Sequence, residues 1–114
     1  MSRHDPWVCV QDMLDHAKEA VALAAGAERG GMDRLRNLAL AHLIEIIGEA
    51  ANRTPKDFQS RHPEIPWTDA TGMRNKLAHG YDLVDYGIVW DTAHRELPAL
   101  VAKLERLMRS KGQA

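Results

Sequence analysis

The sequence predicts an all-α protein, and three observations lead to this fold class. Apolar residues recur at alternating three- and four-residue steps in several long segments, which is the spacing of one helix face. Aspartates precede these segments, where a side-chain oxygen can accept hydrogen bonds from the first backbone N–H groups of a helix. Glycines and prolines cluster between the segments. With 114 residues the chain can build one hydrophobic core, so we expect residues 1–114 to form a single domain.

The first helix is predicted to begin after Asp5, which can cap it, with Pro6 at its first position. Its apolar stripe consists of Trp7, Val10, Leu14, Ala17, Val21 and Ala24. The segment "GAERGGMD", Gly26 to Asp33, then breaks the helix with three glycines. Asp33 can cap the next helix.

The second helix, about Arg34 to Arg53, is apolar over most of its circumference. Its polar residues form one narrow stripe: His42, Glu45, Glu49 and Asn52. Such a helix needs cover on more than one side. In so small a bundle we expect part of that cover to come from a second subunit.

A long connection follows, in which Pro63 and Pro66 disfavour regular structure. Thr68 can cap a third helix, which we expect to end at Gly80. Asp85 or a neighbour starts the last helix, whose apolar stripe is Val89, Ala93, Leu97, Leu100, Leu104 and Leu107. Pro98 should kink this helix or divide it in two.

Composition limits the function classes. The net charge of −1 gives no sign of a nucleic-acid binder, so any such role has to rest on a local basic patch. Cys9 is the only cysteine, which excludes an intrachain disulfide and a cysteine-based metal cluster. The sequence has neither the apolar stretch of a signal peptide nor a membrane span, and we expect a cytoplasmic protein.

The segment "GMRNKLAHGYD" concentrates polar chemistry at the end of the third helix. Positions four apart nearly eclipse on a helix, so Asn75 and His79 share a face. Arg74 lies about 140° from His79 around the axis, but its long side chain could still converge with His79 on one small anion.

These residue types suggest RNA cleavage in which the ribose 2′-hydroxyl attacks its own phosphate. His79 could transfer a proton near neutral pH, and Arg74 could stabilise the extra charge of the transition state. Asn75 could orient the imidazole or the phosphate, and Tyr81 offers a hydroxyl and a ring for base stacking. The reaction needs no metal or other cofactor.

Plainer interpretations remain open for the motif residues and for the polar stripe of the second helix. Cationic residues near a helix C-terminus are favoured by the helix dipole, and a glycine after histidine is a routine helix end. His42, Glu45 and Glu49 resemble metal ligands, but a solvated or cleft-lining face is the commoner reason for such a stripe. Glu49 could instead pair with an arginine of the motif.

The segment "RNKLAHGY" resembles the Arg-x4-His-x-Tyr signature of HEPN-domain toxins of the HepT-like family. Further segments resemble that family in the same order and spacing: "IIGEAANR" at 46–53, "HPEIPWTDATGMRN" at 62–75, "HGYDLVDYGIVW" at 79–90 and "ELPAL" at 96–100. Together the similarity covers residues 34–100.

The resemblance implies a four- to five-helix HEPN-type bundle that forms a homodimer, with a cleft lined by the motif. It implies a metal-independent endoribonuclease toxin, of a type VII-like toxin–antitoxin pair, whose partner is a minimal nucleotidyltransferase. By position, Arg74 and His79 would be catalytic, Asn75 supporting, and Tyr81 the hydroxyl that the antitoxin nucleotidylates. The alternative is a non-catalytic HEPN module that binds nucleotide or the nucleotidyltransferase with the same residues.

Overall fold

The computed structural model describes residues 5–77 and 84–112, and helices dominate this part of the chain. The predicted all-α fold class is therefore confirmed. The helical segments are α1 (Pro6–Ala24), α2 (Arg34–Arg53), α3 (Lys56–Arg61), α4 (Trp67–Leu77), α5 (Tyr86–Asp91), a π-helical turn (Thr92–Glu96) and α6 (Leu97–Ser110). The predicted helix end at Gly80 lies outside the described residues.

Three helices begin at the aspartates that the sequence marks as caps. Asp5, Asp33 and Asp85 each accept a hydrogen bond from a backbone N–H two or three residues later, at 2.9, 2.8 and 3.1 Å. Each bond satisfies an N–H group that has no partner within the helix, which fixes where that helix starts.

The prediction that Thr68 caps the third helix is wrong. Helix α4 begins one residue earlier, at Trp67, and the carbonyl of Pro66 already accepts from the N–H of Ala70 at 2.9 Å. Trp67 is buried, and its indole N–H donates to the carbonyl of His62 at 2.9 Å. Burial of this ring explains why the helix includes Trp67. Trp67 is thus part of the core.

The core lies where α2 packs against α1 on one side and α4 on another, while α6 covers α1. Most apolar side chains of α2 are buried by these neighbours: Leu40, Ala41, Leu43, Ile44, Ile47, Ala50 and Ala51. Leu35 and Leu38, near the start of α2, remain 76% and 41% exposed. The chain itself therefore covers most of α2, and the large apolar side chains it leaves exposed lie at one end.

The last helical run is divided near Pro98, as predicted. The N–H of Leu97 bonds to the carbonyl of Thr92, a five-residue step, and α6 then begins with Pro98 in its first turn. Proline lacks an N–H and its ring clashes with the carbonyl four residues earlier, so the wider π-helical turn relieves that clash. All six residues of the predicted apolar stripe are buried.

Two contacts fasten the glycine-rich α1–α2 connection to α5. The guanidinium of Arg29 donates to both carboxylate oxygens of Asp91, at 3.2 and 3.3 Å. The indole N–H of Trp90 donates to the carbonyl of Ala27 at 2.9 Å. The hydrogen bond from Arg29 lowers the pKa of Asp91 below its usual value, while partial desolvation opposes that shift.

Within the described residues, no helix combines the length and the apolar character needed to cross a bilayer.

Candidate functional site

A polar groove of about 440 Å³ lies between α2 and α4. Helix α2 contributes Glu45, Gly48, Glu49, Asn52 and Arg53 to its lining, and α4 contributes Thr71, Arg74 and Asn75. The structure thus brings two residues of the predicted motif, Arg74 and Asn75, to one concave surface.

Gly48 allows the two helices to approach closely beneath this groove. A Cβ atom on Gly48 would lie 3.1 Å from the carbonyl oxygen of Ala70 and 3.4 Å from that of Thr71. Backbone atoms cannot rotate away as the end of a flexible side chain can, so glycine is needed for this helix spacing. The spacing in turn sets how far Arg74 on α4 lies from the acidic residues of α2.

Arg74 faces Glu49 across the groove. One guanidinium nitrogen of Arg74 lies 3.8 Å from a carboxylate oxygen of Glu49, and the two side chains are 58% and 59% exposed. The predicted pairing of Glu49 with an arginine of the motif is therefore confirmed. At that distance and exposure the pair is weak, about 0–1 kcal/mol, so Arg74 can readily exchange Glu49 for an incoming anion.

Asn75 is exposed beside Arg74, and its amide can donate to or accept from a ligand in the groove. His79 and Tyr81, the other two residues of the predicted site, lie outside the described residues.

The polar stripe of α2 is mostly a groove-lining face. Glu45, Glu49 and Asn52 line the groove, whereas His42 is exposed and is not part of its lining. In the described part of the chain no three His, Cys, Asp or Glu side chains are grouped so that they could hold a metal ion. The cleft-lining interpretation of the stripe is the one that this geometry supports.

Sequence reasoning missed Gly48, Arg53 and Thr71 as lining residues. Arg53 is held at one end of the groove by a 3.2 Å contact with Asp12 of α1. Helical spacing could have found Arg53, which lies four residues after Glu49 and hence on the same face. The role of Gly48 depends on which helix packs against it, and no local signal reveals that.

Comparison with known proteins places the chain among ribonuclease-like sequences. Residues 11–107 match the family described as "Ribonuclease HepT-like". A protein of Thermococcus cleftensis named "Probable ribonuclease HepT" is 42% identical over 77 residues, which is 68% of this chain and 70% of that protein.

Two further relatives carry RNase names. "Putative RNase TTE0752" of Caldanaerobacter subterraneus is 37% identical over 79 residues, 69% of this chain and 70% of the relative. "Putative RNase MJ1216" of Methanocaldococcus jannaschii is 31% identical over 111 residues, 96% and 92% of the two chains. No solved structure matches the chain.

Proposed function

Because this chain belongs to the HepT-like ribonuclease family, we propose that it is an endoribonuclease that cleaves RNA at the groove between α2 and α4. The observation that carries this proposal is the position of Arg74. Its guanidinium lines the groove, is more than half exposed, and has only a weak partner in Glu49. An arginine in that state suits a phosphate, because its planar fork can donate two parallel hydrogen bonds to phosphate oxygens.

The proposed reaction is an internal transesterification. The ribose 2′-oxygen forms a bond to the adjacent phosphorus while the bond from phosphorus to the 5′-oxygen of the next nucleotide breaks. His79 takes the proton of the 2′-hydroxyl or supplies a proton to the leaving 5′-oxygen, and water exchanges the other proton. The products are a 2′,3′-cyclic phosphate and a 5′-hydroxyl.

Arg74 stabilises the additional negative charge that builds up on the phosphate oxygens in the transition state. Since this guanidinium supplies the positive charge, the proposed reaction is independent of metal ions. Asn75, beside Arg74 on the groove wall, orients the phosphate or the imidazole.

Glu49 competes with RNA for Arg74 in this proposal. Its carboxylate lies 3.8 Å from the guanidinium of Arg74, an exposed pair that is weak. When RNA enters, the phosphate takes over the guanidinium because it offers closer, bidentate contacts.

The proposed partners are a second copy of the chain and a minimal nucleotidyltransferase antitoxin. Leu35 and Leu38 leave an exposed apolar patch on α2, the helix that also forms one wall of the groove, and a second copy would bury it. The antitoxin would attach a nucleotide to the hydroxyl of Tyr81. The added phosphate would then compete with RNA for Arg74, as in a regulatory phosphorylation.

The test of the enzymatic proposal is cleavage of RNA by purified protein in the presence of a chelator. His79→Ala and Arg74→Ala should each lower the rate about a hundredfold or more. His42→Ala is a matched control, because His42 is exposed on α2 and outside the groove lining. Chelator-sensitive cleavage, or full activity in His79→Ala, would contradict the mechanism. RNA binding without cleavage would instead favour the non-catalytic module.

A further inference from the structure

A second cavity, of about 310 Å³, continues the groove along α4 toward α3. The two cavities share Thr71 and Asn75 as lining residues. Thr68, Gly72 and Asn75 recur at steps of four and three, so they lie on one face of α4 and span about 10 Å along its axis. That length corresponds to about three nucleotides at the ~3.4 Å rise of a stacked strand.

Lys56 gives this second cavity a positive charge. Of the described residues that line it, Lys56 alone is charged. Three arginines on α2, α3 and α4, Arg53, Arg61 and Arg74, each have a carboxylate within 4.0 Å. No described carboxylate lies that close to the Lys56 ammonium, which is therefore available for an anion from outside.

Gly72 keeps the cavity open. It lies inside α4 with no positive φ, and a Cβ atom built on it would meet nothing within 4 Å. The fold thus has no need of glycine at this position, whereas a glycine inside a helix destabilises it relative to alanine. A missing side chain at an open position lets a ligand approach the helix backbone closely.

We propose that this second cavity is a binding subsite for a single RNA strand, in which Lys56 contacts a backbone phosphate flanking the one that is cleaved. The subsite rests on the proposed function, since it takes the RNA held at Arg74 as its starting point. Thr68, Thr71 and Asn75 offer hydroxyl and amide groups for the ribose and phosphate oxygens that pass along α4. Hydrogen bonds to these groups do not depend on the base, so the subsite contributes affinity without sequence preference.

The charge of the next cavity sets the far limit of the subsite. A third cavity, of about 410 Å³, shares four lining residues with the second, Lys56, Gln59, Trp67 and Thr68, but adds Asp69. The Asp69 carboxylate repels phosphate, so the favourable path for the strand ends near Lys56.

The experiment compares two RNA substrates with the same cleavage step, a dinucleotide and an octanucleotide. Lys56→Gln removes the charge at nearly constant size, and Gly72→Met fills the cavity with a good helix former. Each variant should lower the ratio of octanucleotide to dinucleotide kcat/KM about tenfold. Lys56→Gln removes one hydrogen bond to a charged group, and Gly72→Met blocks the strand from reaching that group. Lys103→Gln on α6 is the control, since Lys103 is exposed and lines neither cavity.

Binding gives a second readout that does not depend on turnover. In a His79→Ala background, the octanucleotide binding constant is measured against salt concentration. The log–log slope should become shallower by about 0.7 when Lys56→Gln is added, the value for one phosphate of a single strand. Urea unfolding of Gly72→Met verifies that the variant is folded.

Active enzyme with unchanged octanucleotide preference and salt slope in both variants would overturn the subsite and leave the proposed function standing. If wild-type protein neither cleaves nor binds RNA, the proposed function fails and the subsite with it. A third outcome is that both variants keep the octanucleotide preference and the salt slope but no longer bind the nucleotidyltransferase. This result would assign the cavity to a protein partner and overturn the RNA subsite.

Discussion

Gly48→Ala should change the free energy of unfolding in two opposite ways, by overpacking the crossing of α2 and α4 and by raising the helix propensity of α2. The new Cβ would lie 3.1 Å from the carbonyl oxygen of Ala70, so the two helices have to move apart by a few tenths of an ångström. Overpacking of this kind costs about 1–3 kcal/mol. Replacing a glycine inside a helix by alanine stabilises the helix by about 1 kcal/mol. The expected net change at Gly48 is a loss of about 0–2 kcal/mol in the free energy of unfolding.

Gly72→Ala is the matched control, because it makes the same chemical change on α4 where the new Cβ meets nothing within 4 Å. It should stabilise the fold by about 0.5–1 kcal/mol. Urea unfolding of both variants then isolates the packing contribution, a difference of about 1–3 kcal/mol at an unchanged m-value. If Gly48→Ala stabilises the protein as much as Gly72→Ala does, the close approach of α4 at Gly48 is not what the structure indicates.

Three further predictions concern ion pairs and caps. Glu49→Gln removes the carboxylate that competes for Arg74, so RNA binding at low salt should become two- to fivefold tighter, or about 0.4–1 kcal/mol. The measurement is the RNA binding constant across a salt titration, and weaker binding by the variant would contradict the prediction. Asp91→Asn removes a carboxylate whose pKa is lower in the folded state than in the unfolded state. The ionised carboxylate therefore stabilises the fold at pH values above its unfolded-state pKa, and this stabilisation is lost as the pH falls through its folded-state pKa. The variant should therefore be less stable than wild type at neutral pH, and the two proteins should be equally stable in strong acid. The measurement is the urea midpoint of both proteins against pH, and a constant difference between the two midpoints at every pH would refute this coupling. Asp33→Ala removes the α2 cap and should lower stability by about 1 kcal/mol in urea unfolding, while no change would mean that the cap bond is not formed in solution.

Local chemistry made part of the fold predictable. A capping aspartate acts within three residues of itself, so the starts of α1, α2 and α5 followed from Asp5, Asp33 and Asp85. The start of α4 did not follow from Thr68, because burial of Trp67 against other parts of the chain decided it. The same limit applies to the π-helical turn: Pro98 predicted a break, but not the form that the break takes.

The candidate site was predictable to a similar degree. Helical spacing and charge identified Arg74, Asn75 and the polar stripe of α2, and the Glu49–Arg74 pair followed from them. The groove itself depends on Gly48 meeting the backbone of α4, which is a tertiary contact without a local sequence signal. The open surroundings of Gly72 could not be predicted either, because the sequence does not show that a Cβ atom there would meet nothing within 4 Å.

The ribose 2′-hydroxyl is the proposed nucleophile at the Arg74 groove, and a single substitution in the substrate tests this role. An octanucleotide that the wild-type protein cleaves once is compared with the same RNA carrying a single 2′-deoxy nucleotide on the 5′ side of the cleaved bond. We expect cleavage at that bond to disappear in the substituted strand, whereas binding to His79→Ala protein is retained. We also expect the cleaved natural strand to end in a 2′,3′-cyclic phosphate. Cleavage of the substituted strand at the same bond, leaving a linear phosphate, would mean that water is the nucleophile and would contradict the proposed mechanism.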